Sequence, residues 1–170
     1  MTPELTIPNL FARRSIRKFT DESVTEEQVQ TLLEAGMAAP SASNRQPWHF
    51  IVVTEQETRA ALADAHPYGK MVAQAPLCIV PCGDPSISEG YWVQDVSAAT
   101  ENILLAVVGL DLGAVWCGVH PRPERVAAVR SILGLPEDII PFALLAIGNA
   151  DEEKEPRTQY DEERVHRERW

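Results

Sequence analysis

The stretch that most limits how this chain can fold runs from Tyr91 to Leu112. Val93, Val96, Thr100, Ile103, Leu104, Val107 and Leu110 recur near one face at helical spacing, which predicts a long helix with Gly113 as its terminator. Over Ile103 to Leu110 that helix is apolar nearly all round. Such a helix cannot lie on a wet surface, so it has to be buried in a core or an interface. The rest of the chain must supply the elements that surround it.

Leu5, Ile7, Leu10 and Phe11 predict a short helix that delivers Arg13 and Arg14 at its end. Ser15 to Thr20 reads as a strand, in which Ser15, Arg17 and Phe19 share one face. Thr25-Glu26-Glu27-Gln28 has the form of a capping box, and Val29, Leu32, Leu33 and Gly36 continue it as a helix closed by Pro40. Trp48 to Thr54 reads as a strand, and Thr54 to Glu57 as a second capping box opening a helix through Ala65. A short helical piece at Lys70 to Gln74 precedes a buried strand from Leu77 to Cys82. Beyond the long helix, Ala114 to Val119 forms a strand and Glu124 to Leu133 a helix closed by Gly134 and Pro136. Ile139 to Ile147 is the last core strand. Helices and strands interleave around a mixed sheet without internal repeats, so the class is α+β or α/β in a single domain of 170 residues. From Asn149 the character changes: Asp151-Glu152-Glu153-Lys154-Glu155-Pro156 cannot build a core, and the tail to Trp170 is expected to dock, another subunit being one surface for it.

Against 25 acidic and 15 basic residues, a net charge of -10 and a sequence pI near 4.8 exclude a general nucleic-acid binder. The apolar runs are too short for a membrane span, and Met1 to Leu10 carries Glu4 with no basic segment before an apolar run, so a cytoplasmic protein without a secretory signal is expected. Cys78, Cys82 and Cys117 form no C-x-x-C pair and read as reduced core residues; His49, His66, His120 and His166 are scattered, so no metal site is expected. There is no G-x-G-x-x-G, no P-loop and no G-x-S-x-G nucleophile motif. Chemistry would have to come from a bound cofactor. Arg13-Arg14-Ser15-Ile16-Arg17-Lys18-Phe19 gathers four cations within six residues of this acidic chain, and guanidinium forks beside a Ser hydroxyl suit a small anion. Ser41-Ala42-Ser43-Asn44-Arg45-Gln46-Pro47 is a small, polar loop able to bring backbone groups close to a ligand.

That cluster, followed by Ala39-Pro40-Ser41-Ala42-Ser43-Asn44-Arg45-Gln46-Pro47-Trp48-His49-Phe50, resembles the FMN-dependent nitroreductase family. The resemblance continues through Asp95 to Ala106, Gly113 to Gly118, Glu155-Pro156-Arg157 and Arg164 to Trp170. It implies an α+β sandwich with a mixed, mainly antiparallel sheet packed between helices. It also implies a homodimer with exchanged C-terminal arms, residues 150–170 here, and one FMN in each of two interface sites. Carried over by the resemblance, Arg13 and Ser15 would hold the FMN phosphate with Arg14 contributing, and Arg17 would sit at the pyrimidine edge of the flavin. Pro40, Ser41 and Asn44 would come from the partner, with Gln46 supporting their loop. Trp116, Cys117 and Gly118 would pass the other side of the ring, a backbone amide there facing flavin N5. Arg157 would return to the phosphate; where many relatives place a second basic residue this chain has Gln159, for which Lys154 is the candidate substitute. The implied activity is ping-pong, two-electron reduction of nitroaromatics, quinones or similar small acceptors by NADH or NADPH. The alternatives are a flavin storage or sensing module and a reductase with one dedicated substrate. So short a chain leaves little room for roofing helices, so an open cleft bordered by Tyr68 and Trp92 is expected.

Overall fold

The computed structural model describes residues 3–170, with side chains from residue 7 onward; Met1, Thr2 and the Leu5 side chain invoked above lie outside the described residues. Two strands form the centre, β2 (Leu77–Gly83) and β5 (Ala143–Gly148), and every residue of both is buried. Strand geometry sends alternate side chains to opposite faces. Leu77, Ile79, Leu145 and Ile147 therefore meet one helical layer, where Leu32 of α2 (Glu26–Met37) and Val96, Ile103 and Val107 of α5 (Trp92–Gly109) close the core. Cys78, Val80, Leu144 and Ala146 meet the other, with Leu62 of α3 (Gln56–Asp64), Val72 of α4 (Lys70–Gln74) and Val129 of α6 (Pro123–Leu133). The sheet order is β1-β2-β5-β3, with β1 at Trp48–Val53 and β3 at Gly113–Gly118, and all its neighbours run antiparallel. The architecture is thus α+β, with a sheet covered on both faces. Among the described residues no helix is long and apolar enough to cross a membrane.

The long helix is the packing centre of the first layer, as its composition requires: Val96, Ala99, Thr100, Ile103, Leu104 and Val107 are all buried. It ends at Gly109, however, and Gly113 opens β3 instead of terminating the helix. The reversal is made by Leu110 to Leu112, with Asp111 at φ 56°. The α2 capping box is as expected: Gln28 N donates to Thr25 Oγ1 at 3.2 Å, and Thr25 N donates to Gln28 Oε1 at 2.9 Å. The second is not; α3 starts one residue later, with Glu55 as its N-cap and no side-chain capping bond.

The expected strand from Ile139 to Ile147 is broken into β4 (Ile140–Pro141) and β5, with Phe142 between them. The cause lies on β2. Pro81 has no N–H to give to a ladder. The register passes from Ile79 opposite Leu145 to Cys82 opposite Pro141, so three residues face two, a bulge in which Phe142 N donates to Pro81 O at 2.8 Å.

The segment 15–20 is also no strand of the sheet. Ser15 forms a single bridge to Ala114 and Phe19 a single bridge to Ala150. Its backbone divides its hydrogen bonds between two neighbours. Ile16 N donates to Ala114 O at 2.9 Å, whereas Thr20 N donates to Asn149 O at 3.0 Å and Lys18 O accepts from Asp151 N at 2.9 Å. The start of the C-terminal tail is thereby laced to the chain's own N-terminal segment, and Arg157 N continues the lacing to Phe11 O at 3.1 Å.

Candidate functional site

Helix α1 (Pro3–Ala12) ends where the cationic cluster begins, as its spacing predicts. The cluster is fixed by close packing. Ile16 is buried against Gly113, where an added Cβ would lie 2.8 Å from Ile16 Cγ2; Gly113 is the residue that allows the approach. With Ile16 turned inward, Arg17 and Lys18 are exposed and Arg13 and Arg14 half-buried.

Arg13 and Arg14 line a cavity of about 220 Å³ together with Lys154, Asp111 and Gly113. Each cation in it is already steered. Arg13 Nε lies 3.4 Å from Glu101 Oε1 on α5, and Arg14 donates to the Glu155 carbonyl. Lys154 Nζ donates to Ser15 O and lies 3.1 Å from Glu152 Oε1. Partial burial pushes the Glu101 carboxyl above its usual range, with Arg13 pulling against it. The Arg17 N–H, and after it Lys154, hold the half-buried Glu152 carboxyl below its usual range. The tail thus adds Lys154 to the cluster across 139 residues of sequence. Arg157 is exposed beside Phe11, at the same end, and Gln159 is exposed.

Arg17 belongs to a second, more open cleft of about 410 Å³ with Pro67, Tyr68, Lys70 and Met71. Of the two aromatics expected to border a cleft, Tyr68 does so. Trp92 packs instead over Gly83 and meets His120 edge-on, with ring centroids 4.7 Å apart. Lys70 is the residue the sequence reading missed. Its place at the start of α4 gives no local signal, and its pairing with Arg17 exists through the fold alone.

Between the clefts runs β3, the edge strand of the sheet. Val119 N donates to Phe142 O at 3.0 Å, so the odd-numbered residues of this ladder face β5, and Trp116 and Gly118 turn their N–H and C=O groups to the outer edge. Ala114 O, on the same edge, accepts from Ile16 N. At Gly118 an added Cβ would meet nothing within 4 Å. Cys117 is buried, its Sγ 3.7 Å from Met71 Sδ and 3.8 Å from Tyr68 O. Burial pushes this thiol up, against the opposing charges of Arg17 and Arg125, so it packs as an inert group rather than a nucleophile.

The loop carrying Pro40, Ser41, Asn44 and Gln46 is separate from both clefts in this chain. Three of its non-glycine residues have positive φ: Ser43 at 52°, Asn44 at 53° and Gln46 at 52°. Such geometry persists where surrounding contacts over-determine it. Here Gln46 N donates to Ser41 Oγ at 3.0 Å and Gln46 Nε2 to Asn44 Oδ1 at 3.3 Å. Asp95, buried in the first turn of α5, accepts from Ala42 N at 2.9 Å and from Ser88 Oγ at 2.7 Å. Asp95 was not singled out from the sequence as a support of this loop.

Cations converging from both ends of the chain and an open strand edge beside them define an α+β protein with an anion-receptive edge. The chain belongs to the nitroreductase family, whose profile matches residues 10–67 and 64–149. A chain from Archaeoglobus fulgidus bearing the provisional name NADH dehydrogenase/NAD(P)H nitroreductase is 45% identical over 95% of this chain and 96% of its own length. A crystal structure from Parabacteroides distasonis with the same provisional name superimposes with a TM-score of 0.95 at 38% identity, covering 97% of this chain and 98% of that one. An FMN-dependent nitroreductase from Clostridium difficile gives a TM-score of 0.91 at 31% identity, covering 96% and 99%.

Proposed function

We propose that this protein is an NAD(P)H-dependent FMN oxidoreductase acting as a homodimer. The observation that carries the reading is the convergence of Arg13, Arg14, Ser15 and Lys154 beside the open edge of β3. The residues fit the group: the cations suit a phosphate dianion, and the empty space over Gly118 leaves room for a flat ring against the strand. FMN, when bound, supplies two-electron chemistry between NADH or NADPH and a nitroaromatic, quinone or similar acceptor, in a ping-pong cycle.

The chain's own residues bind, orient and polarise. Arg13, Arg14 and Ser15 hold the phosphate. Arg157, tethered through its backbone to Phe11, joins them, and Lys154 takes the place that Gln159 leaves without charge. Arg17, with Lys70 across its cleft, places positive charge at the pyrimidine edge, where it stabilises the electron-rich form of the ring more than the oxidised form. Trp116, Cys117 and Gly118 carry the wall that passes the ring, with the Gly118 N–H directed outward. The loop of Pro40, Ser41, Asn44 and Gln46 serves the partner's flavin, which accords with its rigidity and its distance from this chain's own cationic clefts.

Residues 1–170 act as one FMN-binding domain in this reading. The tail is laced in cis as far as Arg157, so the arm that reaches the partner starts at Thr158. Ile7, Leu10, Phe11, Val165 and Trp170 are exposed apolar side chains suited to that interface. The cytoplasm, where NADH and NADPH are available, is the compartment this activity needs. The test is to reconstitute purified protein with FMN and follow NADH and NADPH oxidation with quinone and nitroaromatic acceptors. Turnover with either nucleotide is expected, and none with any acceptor would overturn the proposal.

A further inference from the structure

His66 is a buried histidine, 4% exposed, that the flavin reading leaves without a role. It follows α3, and its ring is held at both nitrogens. Tyr68 N donates to Nδ1 at 3.2 Å, so Nδ1 is the acceptor and the proton is on Nε2. Nε2 lies 2.9 Å from Gly118 O and therefore donates to it. Arg125, in the first turn of α6, donates from Nη1 to the same oxygen at 2.9 Å. Its 3.3 Å approach to His66 Nε2 is a side-by-side contact of two donors sharing one acceptor, because that nitrogen already carries a hydrogen.

The shared acceptor is on the outer edge of β3. In an extended residue the N–H and C=O point the same way, so Gly118 offers that edge one donor and one acceptor, side by side. Neighbouring contacts fix the rest of the backbone here: Cys117 faces β5, and Val119 N is bonded to Phe142 O. The Gly118 carbonyl is thus, with that of Trp116, an acceptor through which this edge could repel an electron-rich ligand, and at Gly118 two donors occupy its lone pairs. What remains presented at this residue is the Gly118 N–H. Glycine has the freest backbone of any residue, so an anchor is needed if this peptide is to keep one orientation.

We propose that His66 and Arg125 are positioning residues that cap the Gly118 carbonyl and so give the outer edge of β3 donor character, favouring the electron-rich form of the ring bound beside it. This rests on the flavin reading above. Neither residue touches the ligand; both act through one carbonyl, from the end of α3 and the first turn of α6, neighbours in one helical layer. Capping polarises the Gly118–Val119 peptide, whose N–H is the one bonded to Phe142 O, and so holds the strand on which the Gly118 N–H is presented.

The test uses the FMN-loaded protein and four variants: His66→Leu and Arg125→Met remove a donor, while His66→Gln and Arg125→Lys retain one. FMN dissociation constants within about threefold of wild type are expected for all four. The donor-removing variants should show a lower flavin midpoint potential, and a kcat for reduction by nicotinamide lower by about tenfold with KM unchanged, a loss equal to one ordinary hydrogen bond. His66→Gln and Arg125→Lys should recover most of both. Unchanged potential and kcat, or losses confined to KM or flavin retention, would overturn the proposal. A second readout needs no flavin: the Gly118 carbonyl 13C resonance of the FMN-free protein should move in His66→Leu and Arg125→Met, and less in His66→Gln and Arg125→Lys, and a resonance unmoved in the donor-removing variants would equally overturn it. Failure of wild-type protein to bind FMN would instead sink the flavin reading, which keeps the two failures distinct.

Discussion

At the scale of single residues, the phosphate assignment rests on cations whose present partners are weak competitors for a dianion. Arg13 faces a half-exposed carboxylate at 3.4 Å, and Arg14 a carbonyl. Arg13→Ala is expected to weaken FMN binding by about 1.5 to 3 kcal/mol, the range for a hydrogen bond to a charged group, read by flavin fluorescence titration. Lys154→Ala is expected to weaken it as well, while Gln159→Ala leaves it unchanged; the reverse pattern would move this contact from Lys154 to Gln159. The arginines were legible in the sequence because they are contiguous, and a dense positive cluster in an acidic chain needs no fold to be noticed. Lys70, His66 and Asp95 were not. Each acquires its role from a partner far away in sequence, as His66 does from Gly118, 52 residues on.

At the scale of elements, helices were read more surely than strands. The capping box at Thr25 and the αL glycine closing α6, Gly134 at φ 64°, are local signals with local causes. Segment 15–20 has the alternation of a strand yet pairs only at isolated points, because its backbone partners are two different segments. Likewise the bulge at Phe142 answers Pro81 on a neighbouring strand, and Pro141 in its own stretch does not by itself foretell it. Gly113→Ala would push a methyl group into Ile16 and is expected to cost about 1 to 3 kcal/mol, seen as a lower urea midpoint, and to weaken FMN binding by displacing the cluster. Strand β2 carries two thiols that burial pushes up from 9 to about 12, Cys78 and Cys82. Above pH 9 the unfolded chain releases these protons and the native chain keeps them, so stability falls between pH 9 and about 12. The slope is at most about 1.4 kcal/mol per pH unit for each thiol. Denaturation of Cys78→Ala and Cys82→Ala variants across that window should show a shallower decline than wild type.

At the scale of the whole molecule, the sequence foretold a buried central helix, an α+β class and a tail with no core of its own. It did not foretell that the first part of the tail is laced to residues 11–20 of the same chain, which brings Lys154 into the cationic cavity. Removal of residues 158–170 is therefore expected to leave the fold and the cluster intact while lowering dimer content in sedimentation and flavin content in absorption. A fully flavinated monomer would contradict the arm's role. The reduction itself is tested by the visible spectrum of the FMN-loaded protein under anaerobic conditions. NADH or NADPH should bleach the oxidised flavin band, and a quinone added afterwards should restore it. A bound flavin that stays oxidised in the presence of both nucleotides would contradict an NAD(P)H-dependent oxidoreductase.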